Sequence, residues 1–164
     1  MKNKNQKIAI AGLLCAIGVV GSLFSFPILG SKCAPIQHMV NIICAVLLGP
    51  TYGVCVAFVT SLIRNIAGLG SVLAFPGSMF GALIAGVVFK RTKNTWLTYL
   101  GEVFGTGILG GAIAYPVAIL VMGKSVSDIA FYVYIIPFLI SSIGGAILSA
   151  FIVESLKKRN VLDL

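Results

Sequence analysis

IAIAGLLCAIGVVGSLFSFPIL, residues 8–29, contains no charged side chain from end to end. As a helix rising about 1.5 Å per residue, such a run measures about 33 Å, enough to cross a hydrocarbon core about 30 Å thick. Lys2, Lys4 and Lys7 precede it, and comparable apolar runs follow almost to the C-terminus. Of the 164 residues 59% are hydrophobic and 10% charged, with a mean hydropathy of +1.07; soluble domains are about a quarter charged. Lipid is therefore the main solvent, and the length accommodates about five to seven spans. The runs are continuous and rich in Gly, Ala, Leu and Ile, not alternating in polarity. That excludes an outer-membrane barrel and leaves helices, each satisfying its own backbone hydrogen bonds.

Breakers and charges divide the chain into six transmembrane helices in a single all-α membrane domain, at about 8–29, 36–49, 51–68, 76–89, 96–122 and 129–156. Pro27 and the loop 30–35 end the first, Gly49-Pro50 the second, and Gly68-Leu69-Gly70-Ser71 the third. Pro76 suits the first position of the fourth, where its fixed φ is favourable and its missing N–H costs nothing. With the N-terminus in the cytoplasm, Lys2, Lys4, Lys7, Lys90, Arg91, Lys93, Lys157, Lys158 and Arg159 fall inside, Lys32 and Lys124 outside, and Arg64 within a span. Nine against two follows the excess of Lys and Arg in cytoplasmic loops, with both termini inside. The net charge of +8 is then explained by contact with anionic lipid headgroups, without nucleic acid. A cleaved signal peptide, or a lipoprotein signal ending at Cys15, fits less well. The apolar run exceeds an h-region, lacks an Ala-x-Ala exit, and has Leu14 where a small residue belongs.

Cys15, Cys33, Cys44 and Cys55 show no C-x-x-C spacing and no companion histidines, so neither a metal site nor a disulfide framework is expected, and no cofactor motif is present. Cys33 stands alone in an outer loop. Small residues recur at helical spacing in Gly12/Ala16, Gly18/Ser22, Gly77/Gly81, Gly101/Gly105, Gly107/Gly111 and Gly145/Ser149. In lipid such pairs let helix backbones approach closely. Most read as packing inside the bundle; Ala9, Gly12 and Ala16 on the first helix form a smooth stripe able to receive a partner subunit.

Polar groups inside spans are costly unless they face protein or water, which makes them informative. They are His38 and Asn41 on the second helix, Arg64 and Asn65 on the third, and Glu102 and Thr106 on the fifth. By helical rise, Asn41, Arg64 and Asn65 lie in the outer half of the membrane and Glu102 about 10 Å in from the cytoplasmic face. His38 and Asn41, three apart, share a face. Near them in depth lie the glycine-broken segment 68–75 and the helix start Pro76-Gly77-Ser78, whose free N–H groups and irregular backbone suit a cavity wall. Together these predict a small-molecule pocket reached from outside. The blander readings are an ion pair between Arg64 and Glu102, a capping role for His38, and interfacial roles for Tyr115, Tyr132, Tyr134 and Trp96.

The catalytic inventory is thin: one histidine, no H-E-x-x-H, no G-x-S-x-G, and no phosphate-cradling G-x-x-x-x-G-K-[ST]. An intramembrane enzyme would have to work with His38, Glu102 and a serine. Active transport would need energy from a partner or an ion gradient.

Six segments then acquire meaning in order: Ala9-Ile10-Ala11-Gly12-Leu13-Leu14-Cys15-Ala16, Lys32-Cys33-Ala34-Pro35-Ile36-Gln37-His38, Leu47-Leu48-Gly49-Pro50, Ser61-Leu62-Ile63-Arg64-Asn65, Leu73-Ala74-Phe75-Pro76-Gly77-Ser78 and Gly101-Glu102-Val103-Phe104-Gly105-Thr106-Gly107. In this sequence of motifs the chain resembles the ThiW group among the substrate-binding S components of energy-coupling factor vitamin transporters. The resemblance implies a six-helix bundle in the bacterial cytoplasmic membrane, with a vitamin site near the outer face roofed by loops. It implies docking to a transmembrane T subunit through an Ala-x-x-x-Ala stripe, which maps to Gly12 and Ala16, and two cytoplasmic ATPases as further partners. The implied ligand is the thiamine precursor 4-methyl-5-(2-hydroxyethyl)thiazole. Candidate polar contacts are His38, Asn41, Arg64, Asn65, Ser71 and Ser78, with Phe75 for ring packing. An S component for another vitamin or precursor is the nearest alternative.

Overall fold

The computed structural model describes residues 3–29, 31–127 and 130–159. They form six helical rods: α1 (Lys4–Gly21), α2 (Pro35–Leu48), α3 (Pro50–Ile66), α4 (Ala74–Thr92), α5 (Thr95–Met122) and α6 (Ile135–Lys158). A two-stranded antiparallel hairpin, β1 (Phe26–Ile28) and β2 (Ser31–Cys33), joins α1 to α2. Asn3 starts α1 with a reciprocal cap, its side chain accepting from the Gln6 N–H while Gln6 accepts from its own; this satisfies two of the donors a helix start leaves free. Pro35 and Pro50 stand at the first turns of α2 and α3, where an imino nitrogen is tolerated. At Gly49, φ of +86° lets α2 turn directly into α3, a backbone region that favours glycine.

Three of these helices, Lys4–Phe24, Thr95–Met122 and Ile135–Lys158, are long and apolar enough to cross a membrane; α2 is a shorter apolar helix. The distribution of side chains is that of a lipid-embedded protein. Leu13, Val20, Ile66, Leu100, Leu120 and Phe151 face outward, while Asn41, Thr60, Ser61, Thr98, Glu102, Thr106 and Ser142 are fully or almost fully buried. Exposed apolar surface on that scale is unfavourable in water.

α2 is the central rod, packed against α1, α3, α4 and α6. Its apolar side, Val40 and Cys44, meets Leu14 and Val56, and its polar side faces α4 and α5. One end of the bundle gathers the hairpin with the starts of α2, α4 and α6 and the end of α3. At the other end Lys157 donates to Thr95, joining the end of α6 to the start of α5, while the α2–α3 turn lies beside Phe89, Lys90 and Lys93.

Several helix boundaries differ from the sequence reading. The first helix does not run to residue 29: α1 ends at Gly21, a 3-10 turn follows (Ser22–Phe24), and Pro27 lies in β1. The hairpin can form because Ser31 and Cys33 are buried while Lys32 points out, the period-two pattern of a strand. The fourth helix begins at Ala74 and Pro76 is its third residue; the N–H groups of Ala74 and Phe75 bond to the carbonyls of Ser71 and Val72. The sixth begins at Ile135, after turns over 131–134, and positions 128 and 129 lie outside the described residues. Within α5 the segment Phe104–Gly110 is a π-helical turn, which widens the coil where Gly105 and Gly110 meet α4.

The glycines on the two flanks of the bundle have opposite roles. A Cβ at Gly86 would stand 2.5 Å from Pro50 Cα, a backbone atom, whereas one at Gly12 would meet nothing within 4 Å. Gly86→Val should therefore lower stability in detergent by about 1–3 kcal/mol, read as a reduced melting temperature, and Gly12→Val should leave it nearly unchanged.

Candidate ligand site

At the hairpin end of the bundle a small polar cavity is lined by Ser31, Lys32, Gln37, His38, Arg64, Ser71, Ser78 and Ser141, with Ala34, Ala74, Gly77 and Phe138. It holds about 30 Å³, room for a water or two. Hollows of about 820 and 600 Å³ on the outer flanks are larger but almost wholly apolar; they lack the convergent polar groups of a specific site.

The cavity is assembled by a chain of buried hydrogen bonds. Arg64, on the last turn of α3, donates from its guanidinium to Gln37 Oε1 at 3.0 Å. Gln37 donates from Nε2 to Ser78 Oγ at 3.0 Å, linking α2 to α4. One layer deeper, Asn41 Nδ2 donates to Ser78 O (3.1 Å) and to Glu102 Oε1 (3.0 Å). His38 Nδ1 lies 3.0 Å from the same Oε1. Thr106 Oγ1 is 3.0 Å from it and 3.1 Å from Gly77 O.

The amide orientation of Asn41 follows from its partners, since a flip would face Oδ1 toward two acceptors. Glu102 Oε1 is thus an acceptor, and the proton of the His38 contact belongs on Nδ1. Glu102 Oε2 and Asn41 Oδ1 are buried without a hydrogen-bond partner. Gly81 makes room for this knot: a Cβ there would stand 2.7 Å from both carboxylate oxygens and clash with Thr106.

Residues 8–159 match the sequence pattern of the thiamine-precursor transporter protein ThiW. The chain belongs to the ThiW family. No curated protein matches it. ThiW membership makes this a transporter for a thiamine precursor, a function that points away from catalysis and toward a small-molecule ligand in a multi-pass membrane protein.

Of the residues expected at the ligand site, His38, Arg64, Ser71 and Ser78 line the cavity. Asn41 stands behind it, bonded to Glu102 and Ser78. Asn65 points elsewhere, donating to the carbonyls of Ser61 and Ser71 and so fastening the end of α3 to the following loop. Phe75 packs against Phe58 at a ring separation of 5.6 Å, and the aromatic wall is Phe138. The ion pair between Arg64 and Glu102 does not form: Glu102 pairs with His38, and Arg64 bonds to Gln37. Tyr134 is buried beside Leu73 and Phe138, and Tyr132 is exposed.

Depth reasoning had separated Glu102 from Asn41. The 14 residues of α2 measure only about 21 Å, so its midpoint serves both halves of the bundle and the two side chains meet there. Gln37, four residues before Asn41 and on the same face, was detectable by that spacing. Ser141, which accepts from the Ala34 N–H at 2.8 Å, carried no signal in an apolar run.

Cys33 is buried and donates to Pro137 O. Burial pushes its thiol above the ordinary value, so it should react with maleimide far more slowly in the folded protein than after denaturation. Replacing Glu102 with leucine would leave the buried donors of His38 and Asn41 without their acceptor. A loss of about 3 kcal/mol is expected, measurable by thermal unfolding in detergent, with Glu102→Gln losing less.

Proposed function

We propose that this protein is the substrate-binding S component of an energy-coupling factor transporter that takes up hydroxyethylthiazole. The observation carrying the reading is the enclosed polar cavity at one end of the bundle, in a chain of a thiamine-precursor transporter family. Phe138 offers a face for the flat ring, and His38, Ser71, Ser78 and Ser141 offer partners for the ring nitrogen and the hydroxyl.

All six rods cross the bacterial cytoplasmic membrane in this reading, and the cavity end faces outward. Lys4, Lys7, Lys90, Arg91, Lys93, Lys157, Lys158 and Arg159 then collect at the cytoplasmic ends of α1, α4 and α6, as the positive-inside rule requires. The hairpin is the roof: Lys32 Nζ bonds to Gly68 O at 3.2 Å, closing the mouth between α2 and α3. Small-molecule pockets usually begin at about 300 Å³, so admission of the ligand requires that roof to lift.

Docking to a T subunit through Ala9, Gly12 and Ala16 is supported by their exposure on one side of α1. The neighbouring groove, shared with α3 and lined by Cys15, Val19, Cys55 and Val59, is apolar. The opposite side of α1 is spent within the bundle, where Gly18 abuts Thr60 and Gly21 abuts Ile36. With no phosphate-binding loop of its own, the chain takes its energy from two cytoplasmic ATPases bound to the T subunit. Release inward follows reorientation of this subunit in the membrane.

Calorimetric titration of the detergent-purified protein with hydroxyethylthiazole, thiamine, its pyrimidine precursor and riboflavin tests the ligand. Selective binding of the thiazole is expected; selective binding of another member of the panel would reassign the subunit. Gly12→Leu combined with Ala16→Leu should abolish co-purification with the T subunit and leave ligand binding intact.

A further inference from the structure

The charges around the cavity do not balance. Among the described residues its wall holds two cations, Lys32 and Arg64, and no carboxylate. Arg64 is 2% exposed. Its hydrogen bond is to the neutral Gln37 Oε1, and its Nε has no partner. The ion pairs among the described residues are His38–Glu102 and Lys157–Glu154, so neither includes Arg64. Glu102 lies one layer deeper, and its Oε1 is already shared by His38, Asn41 and Thr106.

A buried guanidinium with no counter-ion among the described residues is among the costliest groups a membrane protein can hold. Gln37 nevertheless fixes it in place by bonding in turn to Ser78. Around it stand Ser31, Ser71, Ser78 and Ser141, and Lys32 rests on a neutral carbonyl at the mouth. Two cations with several hydroxyls and a pre-oriented guanidinium constitute oxyanion-recognition chemistry. A neutral alcohol would satisfy one hydrogen bond there and leave the charge uncompensated.

We infer that the ligand form bound most tightly is anionic, a small ring whose side arm ends in a carboxylate or phosphate held between Arg64 and Lys32. This rests on the reading of the cavity as the precursor site and specifies the charge of the precursor: hydroxyethylthiazole is neutral, whereas its phosphate ester or an acetate-armed thiazole carries the required anion. The anion also replaces Gly68 O as the partner of Lys32, which couples ligand capture to the position of the hairpin.

The test is calorimetry in phosphate-free buffer at low ionic strength with four ligands: hydroxyethylthiazole, its phosphate ester, 4-methylthiazole-5-acetate, and phenyl phosphate, an anion without the thiazole. At least one anionic thiazole should bind tenfold or more tightly than the alcohol. Arg64→Gln should remove about ten- to a hundredfold of that affinity and so collapse the preference for the anion over the alcohol; Arg64→Lys should retain part of it. Lys32→Gln, at the one exposed position of β2, provides the same test without touching the core and should reduce both anion affinity and its salt dependence. Equal or tighter binding of the alcohol, or no binding of any anion, overturns the inference. Binding of phenyl phosphate with none of the thiazoles would sustain it and sink the thiazole assignment instead.

Discussion

Three donors converge on one carboxylate oxygen, Glu102 Oε1, and the arrangement of the bundle depends on that convergence. His38 and Asn41 bring α2 to it, Thr106 stabilises it from the next turn of α5, and Ser78 ties the same Asn41 to α4. In a hydrocarbon solvent, helix association gains nothing from burying apolar surface against apolar surface, so close packing and interhelical hydrogen bonds must supply the specificity. Here both are present at one place. Gly81 and Gly105 allow α4 and α5 to approach until no side chain fits between them, and the polar knot fills the remaining space. The cavity inherits its walls from this knot: Glu102 and Asn41, one layer deeper, position His38 and Ser78, and Ser78 in turn holds Gln37.

The sequence made the class of the fold plain because lipid imposes a single strong rule. A helix must be apolar for its length, and the breakers at Gly49-Pro50 and 68–71 have few other uses in such a chain. The hairpin was not legible, since Phe26-Pro27-Ile28 is as apolar as the helix before it and only the burial of Ser31 and Cys33 around exposed Lys32 distinguishes it. Pro76 was misplaced by two residues because Ser71 and Val72 supply carbonyls that extend the helix backward.

Of the residues that line the cavity, polarity inside spans singles out His38 and Arg64, because an unneeded polar group there is selected against by its cost, and the broken backbone and helix start of 68–78 single out Ser71 and Ser78. The same criterion could not distinguish a residue that faces a cavity from one that fastens a loop, and Asn65 is the second kind. Phe75 and Phe138 are equivalent on paper; which ring faces the cavity is decided by long-range contacts, Phe75 resting on Phe58 while Gly77 admits the Phe138 ring at 2.6 Å from where a Cβ would stand. Long-range pairing of Glu102 with His38, separated by 64 positions, is a property of the packed bundle and of no local pattern.

The shortness of α2 has an electrical consequence. One of its ends lies beneath the polar cavity and the other opens on a hollow of about 500 Å³ beside Lys90 and Lys93. The insulating layer between them is about 21 Å, against about 30 Å for the surrounding lipid. With all six rods spanning the membrane as proposed above, the same transmembrane voltage falls about 1.4 times more steeply along the axis of the protein than around its rim.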